Sequence, residues 1–131
     1  MSLHNDADTA VRAIESVLNQ SFEDLELVIA DCASTDRTPL ICERFHDRDI
    51  RVEYIHLDTD NMAVGAHTAL CAVRGSYVLM MRPCDWLGSD LLHELMAFIR
   101  ANDLQLAIPA QSFDTYTGRN HERSSSVTTF N

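Results

Sequence analysis

Three polar side chains stand where a predicted strand meets a predicted helix, and their spacing could serve a ligand. Residues 25–30 form a short apolar run with one Glu, which is typical of a strand buried on most of its surface. Asp31, Ser34 and Asp36 follow it, and Thr38-Pro39 then supplies an N-cap hydroxyl and a residue suited to a first helical turn. Open α/β sheets bind ligands at such strand-loop-helix corners. An ordinary turn, whose Asp and Ser only cap the helix, explains the same spacing equally well.

The other elements alternate in a way that predicts a mostly parallel sheet. Apolar residues recur at helical spacing or in short runs, and polar turns separate them. The predicted helices cover residues 9–19, 39–47, 62–73 and a stretch after Ser89, and the predicted strands cover residues 25–30, 50–57, 76–81 and 104–108. Strands that alternate with helices indicate an α/β protein, here a single domain over residues 1–131. The first three residues look like a vector-derived start, and we leave them out of the fold.

Composition excludes several classes of partner. Ten basic residues against 20 acidic ones give a net charge of −10, so we expect no binding to nucleic acid. A small phosphorylated ligand would need a local cation. No apolar run approaches the length of a membrane-spanning helix, and no secretory leader is recognisable, so we expect no transmembrane segment.

The four cysteines show neither C-x-x-C spacing nor crowding, which favours a reduced, cytoplasmic chain. Cys32 and Cys84 both follow strand ends, and together with His67 they could form a soft-metal or redox site. Ordinary small buried thiols are the simpler interpretation.

Four collinear pieces of the sequence resemble the nucleotide-binding part of the family 2 inverting glycosyltransferases. Residues 13–22 resemble the first helix of the family, and residues 61–75 resemble the helix that precedes its metal-binding strand. Asp31-Cys32-Ala33-Ser34-Thr35-Asp36 resembles the pattern Asp-Asp-Gly-Ser-Thr-Asp, and Arg82-Pro83-Cys84-Asp85-Trp86-Leu87 resembles Asp-x-Asp-Asp-Trp-Leu. The resemblance covers residues 4–118, leaves residues 119–131 as a hairpin or tail turning near Gly118, and implies a Rossmann-like type-A fold.

The resemblance implies a nucleotide site made of Asp31, Ser34, Asp36, Arg82 and Asp85. In the family, the first Asp of the Asp-Asp-Gly-Ser pattern binds the base of a nucleotide sugar, and here that residue is Asp31. Ser34 and Asp36 keep their places, either as ligand contacts or as hydrogen-bonding residues of the loop. The second Asp and the Gly of the family pattern are Cys32 and Ala33 in this sequence.

The metal-binding pattern of the family is changed in this sequence. The family holds Mg²⁺ or Mn²⁺ with two Asp residues, and Arg82 and Cys84 stand at those two positions. Arg has no acceptor atom, so we expect no metal of the family's kind and no metal cofactor. The guanidinium of Arg82 could instead grip a diphosphate through two parallel hydrogen bonds.

The resemblance implies donor nucleotide-sugar binding and glycosyl transfer to a hydroxyl acceptor, as in polysaccharide biosynthesis. The catalytic base of the family lies in the acceptor half, beyond residue 131, so the catalytic residues are not assigned. A non-catalytic interaction or assembly domain of the same fold is the alternative. The family's first strand is also missing, and because an empty slot in a sheet leaves backbone groups unpaired, we expect a homodimer or a swapped strand there.

Overall fold

The computed structural model describes residues 1–105, 107–109 and 127–128. The helices are α1 (Ala7–Leu18), α2 (Thr38–Arg48), α3 (Met62–Ala72) and α4 (Leu91–Asn102). The strands are β1 (Ser2–Leu3), β2 (Leu27–Cys32), β3 (Val52–Leu57), β4 (Ile108–Pro109) and β5 (Val127–Thr128). The chain divides into two compact units, Met1–Asp90 and Leu91–Asn131. None of the helices among the described residues is long and apolar enough to cross a membrane.

A parallel sheet in the order β1-β2-β3 forms the centre of the first unit. β2 lies in the middle, and all six of its residues are buried, which explains its continuous apolar sequence. The register pairs Ala30 with Ser2 on one side, and pairs Asp31 with His56 on the other. The predicted α/β fold with a mostly parallel sheet and flanking helices is therefore confirmed.

Side chains of β2 alternate between two apolar layers, as the pleat of a strand requires. Leu27 and Ile29 pack in a cluster with residues of α1 and α2, and Val28 and Ala30 pack with Ala69 of α3. α3 comes close to the strand because Gly65 has no side chain: a Cβ there would overlap the sulfur of Cys32. The sheet is thus covered on both faces within the first unit.

The first three residues belong to the fold, so leaving them out was wrong. Leu3 is fully buried and Met1 is nearly so, and both lie in the cluster formed with α1 and α2. The carbonyl of Met1 accepts the Ala30 N–H, which extends the pairing of β1 with β2. What stands at the position of the family's first strand is therefore a strand of two residues.

The strand predicted over residues 76–81 is not formed. Tyr77, Val78, Leu79 and Met80 are between 39% and 59% exposed, and no strand includes them. An isolated strand is not stable without a partner, and β1, at the edge of the sheet, offers only two paired residues. In the described part of the chain, residues 76–81 therefore have no neighbouring strand with which to form backbone hydrogen bonds.

The strand predicted over residues 104–108 is also mostly wrong. Asp103 takes a left-handed φ of 49°, and the Leu104 N–H bonds the Ile99 carbonyl at 3.1 Å. This is the capping geometry of a helix C-terminus, so Leu104 caps the end of α4 instead of starting a strand. Ile108 does lie in β4, which pairs antiparallel with β5. The turn predicted near Gly118 lies outside the described residues.

Candidate nucleotide site at the carboxyl edge of the sheet

Asp31 is a fully buried carboxylate at the carboxyl end of β2. Its Oδ2 accepts the Tyr54 hydroxyl at 3.0 Å and lies 3.1 Å from Nδ1 of His56. Its Oδ1 accepts the Ser34 N–H at 3.2 Å. Burial of a charge is costly unless donors surround it, and two donors, the Tyr54 hydroxyl and the Ser34 N–H, converge here beside the imidazole of His56. Burial, the hydrogen bond to Asp31 and the charge of that carboxylate together raise the pKa of Tyr54, so its phenol stays a donor.

Asn5 joins the loop after β1 to the loop after β2. Its side-chain Oδ1 accepts the Thr35 N–H at 2.8 Å and the Asp36 N–H at 3.3 Å, and its own N–H bonds Oγ of Ser34 at 2.9 Å. Asn5 itself has a φ of 56°, a left-handed conformation that Asn tolerates better than most residues. Parallel strands end at the same edge, so the hydrogen bonds of Asn5 hold the two loops against each other there, together with the Asp6 N–H bond to Oγ1 of Thr38.

Ser34 and Asp36 act as hydrogen-bonding residues of this loop. The carboxylate of Asp36 accepts the Thr38 N–H at 2.8 Å and the Ala7 N–H at 3.1 Å, at the starts of α2 and α1. Desolvation raises the pKa of Asp36, but the hydrogen bonds donated by Thr38 and Ala7 outweigh it and hold the pKa below its ordinary value. The loop role predicted as one alternative for these residues is thus observed, whereas their ligand role stays a prediction.

Arg82 and Asp85 form a separate ion pair. Nε and Nη2 of Arg82 each donate to one carboxylate oxygen of Asp85, both at 3.0 Å. These hydrogen bonds, and then the charge of Arg82, hold the pKa of Asp85 below its ordinary value. Arg82 is two-thirds exposed, with 66% of its side chain accessible. The planar fork of the guanidinium is therefore already matched to a planar, bidentate anion.

The segment after this ion pair is hydrogen-bonded to α1 and to Gln20, two residues beyond the end of that helix. Oγ of Ser16 accepts the Leu87 N–H at 3.0 Å, and Nε2 of Gln20 donates to the Gly88 carbonyl at 2.6 Å. The guanidinium of Arg12 lies 3.4 Å from the ring centroid of Trp86, which is a cation–π contact. Trp86 thus connects this loop to α1 and keeps 41% of its surface exposed.

The residues at the family's metal positions do not fit a hard divalent cation. Arg82 stands at the first of them with its guanidinium bonded to Asp85, and Cys84 stands at the second with an exposed thiol. A hard cation needs several oxygen ligands, and one carboxylate already paired with an arginine does not supply them. Among the described residues, no group of three or more His, Cys, Asp or Glu side chains could hold a metal ion.

Cys32 and Cys84 differ in their surroundings. Cys32 is completely buried beside α3, with its sulfur 3.8 Å from the Asn61 carbonyl, whereas Cys84 is exposed. His67 contacts Cys71, one helical turn further along α3. The soft-metal or redox site of Cys32, Cys84 and His67 is thus not supported by contacts within the described residues.

The predicted site residues fall into two groups. Asp31, Ser34 and Asp36 share one hydrogen-bonded loop system, and Arg82 pairs with Asp85. Within the described part of the chain, no hydrogen bond or ion pair links the two groups.

Sequence reasoning missed Asn5, Tyr54 and His56. The ring of His56 lies beside the Asp31 carboxylate, although 49% of its side chain is exposed. The period of two that starts at Val52 and Tyr54 places His56 on the same face of β3, and that signal could have found it.

Comparison with known proteins identifies the family. The sequence model described as Glycosyl transferase family 2 matches residues 1–130. The chain belongs to this family. Succinoglycan biosynthesis protein ExoO of Rhizobium meliloti is 32% identical over 120 residues, which cover 91% of this chain and 34% of ExoO. Chondroitin synthase of Escherichia coli is 33% identical over 104 residues, which cover 79% of this chain and 15% of the synthase.

Solved glycosyltransferase structures share the type-A fold of this family 2 domain. The crystal structure of S. aureus TarS 1–349 in complex with UDP-GlcNAc matches 94% of this chain with a TM-score of 0.75 at 22% identity. The mannosyltransferase PcManGT from Pyrobaculum calidifontis, in complex with GDP-Man and Mn²⁺, matches 75% of it with a TM-score of 0.67 at 22% identity. The chain covers 36% of the TarS chain and 30% of the PcManGT chain, so it spans a minor part of each.

Proposed function

We propose that this family 2 domain binds the donor of a glycosyltransferase, a nucleoside-diphospho-sugar, at the carboxyl edge of the sheet. The observation that carries the proposal is that Asn5 hydrogen-bonds the loop after β1 to the loop after β2, beside the buried Asp31. Ligands of open α/β sheets bind at this edge. TarS in complex with UDP-GlcNAc and PcManGT in complex with GDP-Man support this class of donor.

The acceptor is proposed from the names of the relatives. ExoO is named for succinoglycan biosynthesis, TuaG of Bacillus subtilis for teichuronic acid biosynthesis, and a third relative is a chondroitin synthase. These names favour transfer of a glycosyl group to a hydroxyl of a growing polysaccharide.

Arg82 is proposed to bind the diphosphate without a metal. Its fork already holds a carboxylate through two hydrogen bonds, and two oxygens of a phosphate can accept the same two parallel hydrogen bonds with more negative charge. Asp85 would then be released from the guanidinium when the donor binds. Ser34 and Asp36 are proposed to shape the loop beside the ligand.

Calorimetric titration with UDP, UDP-GlcNAc and GDP-Man tests these proposals, once with a chelator and once with Mn²⁺. We expect at least one donor to bind in chelator, with no more than a twofold gain from Mn²⁺. The variant Arg82→Ala should bind about tenfold more weakly or worse, because charge-assisted hydrogen bonds contribute about 1.5–3 kcal/mol. Arg44→Ala, at an exposed position of α2, is the matched control and should bind like the unmodified chain.

The outcomes separate the parts of the proposal. Equal affinity of the Arg82 and Arg44 variants would contradict the role of Arg82, and binding only with Mn²⁺ would contradict metal independence. If none of the ligands binds or raises the melting temperature, the chain is the alternative, a non-catalytic interaction or assembly domain. The replacement of two metal-ligand positions by Arg82 and Cys84 is the observation that favours this alternative.

A homodimer is proposed on separate grounds. β1 pairs through only two residues, and the exposed apolar residues 77–80 have no ladder to join in the described part of the chain. A second copy would cover both. Light scattering should give twice the monomer mass, and Leu79→Lys should give the monomer, whereas Leu40→Lys, at an exposed leucine of α2, should not change the mass. A monomer for the unmodified chain would contradict the proposal.

The cytoplasm is the proposed location. The four cysteines are all free, two buried and two exposed, and no disulfide joins any of them. Free thiols persist in a reducing compartment.

A further inference from the structure

His67 and Cys71 lie side by side on the exposed face of α3. They are four residues apart in a helix, and this spacing places two side chains next to each other on one face. Sγ of Cys71 is 3.8 Å from Nδ1 and also from Nε2 of His67. Both residues are exposed, and no other hydrogen bond or ion pair of the described residues involves either side chain. An imidazole and a thiol are thus held together where solvent reaches both.

The helix that carries this pair is held on its opposite side. Gly65 and Ala69 are its buried residues, and they pack against β2. The side chain of Asn61 caps the first turn by accepting two of its backbone N–H groups. The backbone beneath His67 and Cys71 is therefore already in place, and only side-chain torsions need to be ordered when a ligand binds.

The separation of the two side chains matches that of two ligands on one zinc ion. Zn²⁺ binds thiolate sulfur at about 2.3 Å and imidazole nitrogen at about 2.0–2.1 Å with tetrahedral angles, which puts sulfur and nitrogen about 3.6 Å apart. The observed separation of 3.8 Å is close to this value, and it holds for either nitrogen of His67. The pair can therefore share a metal ion after small adjustments of the side chains.

The ligand types favour a soft or borderline cation over a hard one. Thiolate and imidazole suit Zn²⁺, whereas Mg²⁺ and Mn²⁺ take oxygen ligands. The sequence of α3 contains no Asp or Glu that could add such an oxygen. The pair is also separate in the sequence from Arg82 and Cys84, which stand at the hard-metal positions of the family pattern.

We propose that His67 and Cys71 form a two-residue chelate for Zn²⁺, or for a cation of the same class, on the outer face of α3. On binding, the thiol of Cys71 loses its proton to the solvent and its sulfur bonds the metal, while the neutral imidazole of His67 donates a nitrogen lone pair. Water molecules fill the remaining positions of the tetrahedron. Sequence reasoning grouped His67 with Cys32 and Cys84, whereas the helical geometry pairs it with Cys71.

Calorimetric titration of the reduced, metal-free chain with Zn²⁺ in a thiol-free buffer tests the proposal. We expect one Zn²⁺ per chain with a dissociation constant between about 1 and 200 µM, because two of the four ligands of a complete site contribute about half of its binding free energy. Cys71→Ser and His67→Ala should each bind about tenfold more weakly or worse. The matched controls are Cys84→Ser and His93→Ala, which remove an exposed thiol and an exposed imidazole outside α3, and both should bind like the unmodified chain.

Co²⁺ gives a readout that requires a thiolate ligand. Titration of the unmodified chain with Co²⁺ should produce a sulfur-to-metal charge-transfer band in the ultraviolet, and Cys84→Ser should keep that band. Cys71→His retains two ligands at the same spacing, so it should bind Zn²⁺ with similar affinity but give no such band with Co²⁺.

Three results would overturn the proposal: no Zn²⁺ binding by the unmodified chain, a charge-transfer band that persists in Cys71→Ser, or equal Zn²⁺ affinities of the α3 variants and their controls. Each of them leaves the proposed donor function intact, because the chelate does not depend on it.

Discussion

Burial of the Asp31 carboxylate costs free energy, and only particular hydrogen-bond partners offset that cost. A buried carboxylate that loses a donor keeps its charge in a poorly solvated site, so each of its partners is worth more than an exposed hydrogen bond. Tyr54 is one of these partners, at 3.0 Å. Its contribution can be measured by removing only the hydroxyl.

We expect Tyr54→Phe to lower the free energy of unfolding by about 1.5 kcal/mol, since it removes one hydrogen bond to a charged group. Tyr77→Phe, whose side chain is 47% exposed, should change it by less than about 0.5 kcal/mol. Urea denaturation followed by circular dichroism gives both values. Equal stabilities of the two variants would show that the hydroxyl of Tyr54 contributes nothing.

The same residue predicts a pH dependence. The pKa of Tyr54 is raised by burial first and by Asp31 second, so the folded chain holds the proton longer than the unfolded chain. This contribution to stability is complete below about pH 10, where an unfolded tyrosine is still protonated, and is lost as the pH rises above that value. The stability difference between the unmodified chain and Tyr54→Phe should therefore shrink above pH 10, and a constant difference would contradict this linkage.

Ala33 occupies a backbone conformation that suits glycine. Its φ is 51°, and the family pattern has Gly at this position. Ala33→Gly should raise the free energy of unfolding by about 0.5 kcal/mol, because relief of the left-handed strain exceeds the added entropy of the unfolded chain. Ala66→Gly, within α3, should lower it by about 1 kcal/mol. A loss of stability in both variants would contradict the strain.

At the scale of elements, the contact of α3 with β2 depends on two small residues, Gly65 of α3 and Cys32 of β2. A Cβ at Gly65 would overlap Sγ of Cys32 and lie 3.3 Å from the Cβ of Ser2. Because Cys32 is fully buried, its sulfur has no free space to move into.

Gly65→Ala should therefore lower the free energy of unfolding by about 1–3 kcal/mol, as overpacking does. Adding Cys32→Ala should recover part of that loss, because the methyl group introduced at position 65 then occupies the space left by the sulfur of Cys32. A double-mutant cycle measures the coupling between the two positions. Gly88→Ala is the control, since nothing lies within 4 Å of a Cβ built there. Additive effects at positions 65 and 32 would contradict the overlap.

Local signals in the sequence were enough to predict α1, α2, α3, β2 and β3, because caps and apolar spacing are local. The strand predicted over residues 76–81 is not observed, and the reason is not local. A strand needs a neighbouring strand to pair with, and the short length of β1 cannot be read from the sequence of residues 76–81. The candidate site divides in the same way. Asp31 marks a strand end and was predictable, whereas its contacts with Tyr54 and His56 depend on the register between two strands.

For the molecule as a whole, the sheet of the first unit has only three strands, and one of them pairs through two residues. Most of its stability must then come from the two apolar layers that cover β2. Opening of those layers would expose groups that are otherwise out of reach.

The rate at which the four thiols are alkylated can measure how often these layers open. Cys71 and Cys84 are exposed, whereas Cys32 and Cys42 are buried, and burial, then the charge of Asp31, raises the pKa of Cys42 to about 12. An alkylating reagent at neutral pH should add two groups quickly and two more only as fast as the layers part, which intact-mass spectra resolve. The double variant Cys71→Ser/Cys84→Ser should show no fast step. Four rapid additions to the unmodified chain would mean that the layers open faster than the reagent reacts.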